Sequence, residues 1–215
     1  RRGADAPAIC PDCTLLVRPI FPESSDQNPD MPSAAPEELA AAIIDCVDAG
    51  VRVINLSAAL VQPSLKGQRF LEEALYYAAR HRVIVVAAAG NQGNVGASAI
   101  TRHPWVIPVV ACDLRGAPVS HTNLGNSIGR RGLSAPGYDI TSLGTGGEPL
   151  TLRGTSAAAP FVTGAIALLF SEFRTASAAE VKHALLQGPA LRRRGVVPAL
   201  LNAWAGYRNL QQAHS

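Results

Sequence analysis

The chain has 215 residues, of which 47% are hydrophobic and 16% charged, a composition typical of one folded domain with a sizeable core. The formal net charge of +3 is too small to indicate a nucleic-acid partner, and the densest cationic run, residues 192–194, has no aromatic neighbours. The longest apolar runs, residues 83–89 and 161–170, are shorter than the roughly 20 residues of a membrane-spanning helix. We therefore expect neither nucleic acid nor a membrane as partner.

The first half of the chain is predicted to alternate strands with helices. Residues 14–21 predict a short strand, and the polar, proline-rich stretch that follows predicts a loop, because proline interrupts regular structure. Apolar residues then recur at helical or strand spacing in five segments. These segments predict a helix that opens near 33–36 and stops at Gly50, a strand at 51–56, a helix at 66–81, and strands at 83–86 and 105–111.

The second half is predicted to begin with loops and to end with helices. Residues 113–152 are rich in Gly, Ser, Thr and Asn, which indicates loops and edge strands, with extended pieces near residue 133 and at 138–143. Residues 156–173 predict an apolar helix of small residues, in which Pro160 is expected within the first turn, where its missing N–H is tolerated. Two amphipathic segments follow, at 178–187 and 198–210. Continuous apolar strands separated by helices indicate a parallel sheet covered on both faces.

The four cysteines are expected to be ordinary thiols. Cys10 and Cys13 have the C-x-x-C spacing of zinc and redox sites, but the second pair that such a zinc site needs is absent from the sequence. Cys46 on a helix and Cys112 at a strand end fit small buried hydrophobic residues. Reduced cysteines favour an intracellular, cytoplasmic protein.

Ser156 is the first candidate functional residue. It stands in the first turn of a buried helix, where unpaired N–H groups and the helix dipole favour a developing negative charge. Gly154 allows a tight turn before the serine, and the alanines after it leave room for a substrate. A structural alternative is that Ser156 simply caps a core helix.

Residues 152–164 resemble the nucleophile motif G-T-S-x-A-x-P of the subtilisin-like serine proteases, with every fixed position present. Residues 85–93 resemble the oxyanion block of that family, in which an asparagine directs its side-chain amide at the tetrahedral oxygen. Asn91 takes that position. The alternatives are a Gly-Asn turn after a strand and a phosphate loop, but neither G-x-G-x-x-G nor G-K-[ST] is present.

Residues 53–60 resemble the segment that pairs with an extended substrate and lines the primary specificity pocket. The resemblance assigns substrate binding to Ser57, Ala58 and Ala59 on one wall, to Ala88, Ala89 and Gly90 on the opposite wall, and to Thr155. Many relatives have two glycines where Ala59 and Leu60 stand, which implies a narrower pocket, and the alanine walls imply an apolar one.

Two further segments resemble the family, and all the matching segments occur in the same order as in the family. Residues 120–125 are similar to the F-S-N-x-G loop, with His121 in place of the aromatic residue, and residues 133–140 are similar to the S-A-P-G-x-x-I segment. The resemblance implies a three-layer α/β/α fold with a mainly parallel central sheet, incomplete at the N-terminus. Residues 1–215 would then be one partial catalytic domain.

The histidine and the aspartate of the family's catalytic triad are missing from this sequence. None of its five histidines precedes Gly-Thr, as the triad histidine does; His121 is the candidate best placed for recruitment as a base. The missing segment also implies a lost central strand, so the segment is expected upstream or in a companion chain. Alone, this chain is expected to be inactive.

The resemblance as a whole implies a bacterial serine endopeptidase that acts on a peptide or protein substrate. Residues 11–21 and the Ala-Ala-Ala-Gly-Asn block look most like subtilases that mature cyanobactin-type precursor peptides, which favours leader cleavage over macrocyclisation. No metal or organic cofactor is needed, although calcium sites are common among relatives. The alternative is an inactive, peptide-binding or scaffolding subtilase-like module.

Overall fold

A computed structural model describes residues 6–21, 34–58, 65–187 and 195–215, so Ala59, Leu60, the arginine run at 192–194 and most of the proline-rich loop lie outside the described residues. The described helices and strands follow in chain order. They are α1 (Pro36–Asp48), β1 (Val53–Leu56), α2 (Leu65–Arg80), β2 (Ile84–Ala88), α3 (Ala99–Arg102), β3 (Val106–Cys112), α4 (Asn126–Arg131), β4 (Leu133–Pro136), β5 (Ile140–Leu143), β6 (Pro149–Leu152), α5 (Thr155–Glu172), α6 (Ala178–Leu186), β7 (Ala199–Leu200) and α7 (Ala203–His214).

Five of the strands form one parallel sheet in the order β1-β2-β3-β4-β7, and both of its faces are covered. Side chains of β2 alternate between the faces because successive strand residues point in opposite directions. Ile84 and Val86 pack with α5, α6 and α7 on one face, whereas Val85 and Ala87 pack with α1 and α2 on the other. The predicted three-layer α/β/α fold is therefore confirmed.

Helix α5 is the central helix of the fold. It is rich in Ala and Gly and contacts β1, β2, β3 and β4, which its small side chains allow it to approach closely. Among the described helices, only α5 is long and apolar enough to cross a membrane. Half of it, however, is buried within the protein. Burial against the sheet accounts for its apolar composition.

Several predicted boundaries and roles are wrong. The piece near Leu133 is not at the sheet edge, because β4 lies between β3 and β7. Residues 199–200 form the short strand β7, so the last helix begins at Ala203 and runs to His214. The short helices α3 and α4 were not predicted, since four and six residues are too few to show a helical repeat. Pro160 is the sixth residue of α5 and not part of its first turn.

Residues 14–21, predicted as a strand, form no strand in the structure. Leu15 and Val17 are 84% and 62% exposed, and β1, the nearest edge of the parallel sheet, is paired on one side only, with β2. A strand exists only where a second strand accepts and donates its backbone hydrogen bonds. Among the described residues this segment has no such neighbour.

Cys10 and Cys13 form a disulfide, so the prediction of ordinary thiols is wrong for this pair. It holds for the other two: Cys46 lies in α1, half-buried, and Cys112 ends β3, fully buried, and both are free. Burial raises the pKa of both thiols, which therefore remain protonated at neutral pH.

Candidate active site

The residues that the sequence singles out lie at the carboxyl ends of β1 and β2, where helix α5 begins. Parallel strands end at a common edge of the sheet, and loops beyond that edge are the usual place for sites in α/β folds. Here the loop after β2 carries Asn91, the end of β1 leads to Ser57, and α5 starts at Thr155. Three segments distant in sequence thus meet at one edge.

Gly154 sets the entry into α5. Its φ of +96° lies in the region that side chains disfavour. A Cβ on this residue would meet the amide nitrogen and oxygen of Asn91 at 2.8 and 2.9 Å, so the space beside Gly154 is filled by that side chain. Conformation and close approach therefore both require glycine before Ser156, which lies partly exposed in the first turn of α5.

The Asn91 carboxamide is held by the residue next to Ser156. Its Oδ1 accepts hydrogen bonds from the backbone N–H of Thr155 at 2.9 Å and from the Thr155 hydroxyl at 3.0 Å. The same hydroxyl accepts the Gly90 N–H at 3.2 Å, and Thr155 is fully buried. The Nδ2 group of Asn91 lies beside Gly154 at the start of α5 and has no hydrogen-bond partner among the described residues. Asn91 and Ser156 therefore line the same site.

Asn123 anchors the loop that carries Asn91. Its Oδ1 accepts the N–H groups of Gln92 and Asn94 at 3.1 and 3.0 Å, and its Nδ2 donates to the Ala89 carbonyl at 3.2 Å and to Gln92 Oε1 at 2.8 Å. Its own N–H donates to the Gly90 carbonyl at 2.9 Å. The sequence matched this position to a family loop but gave Asn123 no role, because nothing in the spacing shows which backbone groups a distant side chain reaches.

Ser57 and Ser156 are joined by two reciprocal hydrogen bonds. The Ser156 hydroxyl donates to the Ser57 carbonyl at 3.0 Å, and the Ser57 hydroxyl donates to the Ser156 carbonyl at 3.1 Å. The side chain of Ser57 was not expected to contribute, since the resemblance assigned only its backbone to substrate. These bonds fasten the end of β1 to the first turn of α5.

A cavity of about 380 Å³ opens between Ala58 on one side and Ala88 and Ala89 on the other, as the resemblance implied. The described lining is mixed, because polar side chains join the alanines and Ile100, so the predicted apolar character holds only in part. These polar side chains are Gln68, Gln92, Asn94, Ser98, Thr101, Arg102 and Asn123. Gly90 contacts Thr155 behind this wall, and Ala59 lies outside the described residues.

No histidine ring among the described residues bonds the Ser156 hydroxyl, whose described partner is the Ser57 carbonyl. Four of the rings contact other groups: His81 the Tyr77 carbonyl, His103 the Trp105 N–H, His183 the Gln187 amide and His214 the Glu180 carboxylate. Burial lowers the pKa of His103, which is packed edge-on against Tyr76. His121, the candidate base, contributes its carbonyl to the Gly93 N–H. Within the described parts of the chain, no three His, Cys, Asp or Glu side chains cluster as metal ligands would.

Known sequences resemble this chain over most of its length. The profile of the Subtilase family matches residues 24–199. A thermostable alkaline protease of Halalkalibacterium halodurans is 31% identical over 159 residues, which are 71% of this chain and 42% of the relative. Subtilisin DY of Bacillus licheniformis is 36% identical over 140 residues, 63% of this chain and 48% of the relative. The chain thus spans less than half the length of these two relatives.

Solved structures resemble the fold as a whole. A serine-to-alanine mutant of the protease domain of PatA superposes with a TM-score of 0.83 at 32% identity, covering 99% of this chain and 77% of the other. The prenylagaramide maturation protease PagA superposes with a TM-score of 0.76 at 30% identity, covering 89% and 71%. The structural neighbours therefore include maturation proteases of the cyanobactin type, as residues 11–21 and the Ala-Ala-Ala-Gly-Asn block at 87–91 predicted.

Proposed function

This chain belongs to the subtilase family, and we propose from that premise that the intact protein is a serine endopeptidase that works through an acyl-enzyme intermediate. The observation that carries the proposal is the attachment of the Asn91 carboxamide to Thr155, 64 positions away in sequence and adjacent to Ser156. A helix cap formed by Ser156 alone would not explain a second side chain held at the start of α5, whose amide donor has no partner among the described residues. A nucleophile with an oxyanion donor beside it does.

In the proposed reaction, the Ser156 hydroxyl oxygen attacks the peptide carbonyl carbon, and its proton passes to a histidine. The carbonyl electrons move to oxygen, and the resulting oxyanion accepts hydrogen bonds from the Ser156 N–H and from Asn91 Nδ2. The histidine then protonates the leaving amine, and water hydrolyses the ester. The bonds of Thr155 to Asn91 Oδ1 support this role, because they occupy the acceptor of the amide and leave Nδ2 to donate in the proposed reaction.

The histidine and aspartate of this mechanism come, in our proposal, from residues outside this 215-residue sequence. No histidine ring among the described residues contacts Ser156, and four are engaged elsewhere. The outer edge of β1 and the exposed segment 14–21 lack strand partners within the described part of the chain. A strand that pairs there would satisfy these backbone groups and bring the acid and base to the same end of the sheet as Ser156.

The proposed substrate is a ribosomal precursor peptide, cleaved by hydrolysis. The support is the similarity to PatA and PagA, whose structures are described as patellamide and prenylagaramide maturation proteases. An extended peptide would pair with the backbone after β1 and place one side chain in the cavity between Ala58 and Ala88. The polar side chains in the lining of that cavity favour a residue that can form hydrogen bonds at the cleavage position.

Labelling by a fluorophosphonate tests the proposal, since this reagent esterifies only an activated serine. The intact protein, comprising this chain and the segment with the histidine and aspartate, should label, and Ser156→Ala should abolish labelling. Asn91→Ala should reduce turnover of a fluorogenic peptide by about 10²–10³ because one oxyanion donor is lost. Absence of labelling in the intact, folded protein would refute the enzyme and favour the inactive peptide-binding module.

A further inference from the structure

The position of Pro160 leaves one backbone carbonyl of α5 without its usual donor. In an α-helix the N–H of each residue donates to the carbonyl four positions earlier, and proline has no N–H. Pro160 is the sixth residue of α5, so the carbonyl that loses its donor belongs to Ser156 itself. The nucleophile is thus the one residue of the helix whose carbonyl this proline releases.

The hydroxyl of Ser57 takes the place of the missing amide. It donates to the Ser156 carbonyl at 3.1 Å, across 99 positions of sequence. The Ser57 hydroxyl is itself fixed, because its oxygen accepts from Asn55 Nδ2 at 2.8 Å. Asn55 is oriented in turn by Thr163, whose hydroxyl donates to Asn55 Oδ1 at 2.9 Å. A continuous chain of hydrogen bonds therefore links the third turn of α5 to β1 and back to Ser156.

We propose that the Ser57 side chain is a positioning residue for the nucleophile, made possible by Pro160. The carbonyl and the side chain of Ser156 branch from the same Cα, so holding the carbonyl restrains the point from which Oγ attacks. Small displacements of a reacting atom lower the rate strongly. The inference rests on the proposed function, and it adds a residue whose hydroxyl touches neither substrate nor oxyanion.

A double-mutant cycle in the intact protein tests the pairing. Ser57→Ala should lower the second-order rate of fluorophosphonate labelling about tenfold, because the carbonyl loses its donor. Ser57→Thr keeps the hydroxyl and should label within about threefold of wild type. Pro160→Ala restores a backbone N–H that can donate to the Ser156 carbonyl. When Ser57→Ala is added to Pro160→Ala, the labelling rate should therefore fall less than about twofold. Ser171→Ala is the control, since its hydroxyl bonds the Leu168 carbonyl at the far end of α5.

Two further measurements separate positioning from general damage. With a peptide substrate, the loss in Ser57→Ala should fall on kcat, with KM within about twofold, because the hydroxyl does not contact substrate. The urea midpoint of unfolding should fall when Ser57→Ala is made in the wild-type chain, and it should stay unchanged when Ser57→Ala is added to Pro160→Ala.

The outcomes are distinguishable from failure of the proposed function. If wild type does not label, the enzyme proposal is wrong. If wild type labels and Ser57→Ala labels at the same rate, the Ser57 hydroxyl does not position the nucleophile. If Ser57→Ala lowers the labelling rate tenfold whether residue 160 is proline or alanine, the hydroxyl does not replace the amide that Pro160 lacks. Normal labelling with equal urea midpoints across the cycle would also overturn it.

Discussion

Replacement of Gly154 by alanine should inactivate the site through Asn91. The new Cβ would lie 2.8–3.0 Å from three atoms of the Asn91 carboxamide, closer than carbon atoms tolerate. The side chain of Asn91 must therefore move, and with it the donor Nδ2. The φ of +96° adds strain of about 1–3 kcal/mol for any residue with a Cβ. Loss of one oxyanion donor corresponds to about 10²–10³ in turnover.

Gly50→Ala is the matched control for backbone strain. Gly50 also has positive φ, +78°, but a Cβ there meets nothing within 4 Å. Urea unfolding should show both variants destabilised by about 1 kcal/mol or more. Turnover of a fluorogenic peptide by the intact protein should fall for Gly154→Ala alone, and little further when Asn91→Ala is added, since both changes remove one donor. Equal turnover in the two glycine variants would refute the role given to Asn91.

Two other predictions concern residues that support the site and the fold. Asn123→Ala removes the side chain that binds Ala89, Gln92 and Asn94, so peptide turnover should fall at least about tenfold. The control Ser171→Ala should leave turnover unchanged. Wild-type turnover in Asn123→Ala would exclude a role of Asn123 in holding the Asn91 loop. Burial lowers the pKa of Lys182 to about 8, so the unfolded chain binds more protons between about pH 8 and 10.5. Lys182 should therefore contribute roughly 1–2 kcal/mol more stability at the top of that window than at the bottom, whereas the thiols of Cys46 and Cys112, whose pKa values are raised, act in the opposite direction. In urea titrations the stability of the wild type relative to Lys182→Met should rise with pH across the window; a difference that does not change with pH would contradict the prediction.

The sequence predicted those parts of the fold that local pattern determines. The apolar runs of β2 and β3 and the small-residue helix α5 are visible because burial on both faces requires uninterrupted apolar residues. Residues 14–21 carry the same strand pattern but lack a partner strand among the described residues, and pairing is a property of two segments, not of one. Strand β7 has only two residues, too few for any periodicity to show.

The candidate site was predictable to the level of residue types and not of hydrogen bonds. The spacing of Gly154, Ser156 and Pro160 indicated a nucleophile turn, but Pro160, the sixth residue of α5, was wrongly placed in the first turn. The contributions of Asn123 and of the Ser57 hydroxyl depend on contacts 29 to 99 positions apart in sequence. Such contacts follow from the folded sheet and cannot be read from neighbouring residues.

The proposed oxyanion half of the site is held in place by described residues of this chain. Asn91 is bound by Thr155, its loop is bound by Asn123, and Gly154 supplies the space, all without any residue beyond the described ones. The proposed nucleophile differs, because the Ser156 hydroxyl donates its hydrogen bond to the Ser57 carbonyl and no histidine among the described residues accepts it. Supplying the histidine therefore requires breaking one hydrogen bond of Ser156, whereas the Ser57 hydroxyl can keep the carbonyl in place. In the proposed enzyme, the bond from the Ser156 hydroxyl to the Ser57 carbonyl would break when the histidine binds that hydroxyl. The bond from the Ser57 hydroxyl to the Ser156 carbonyl would remain and keep Ser156 in position.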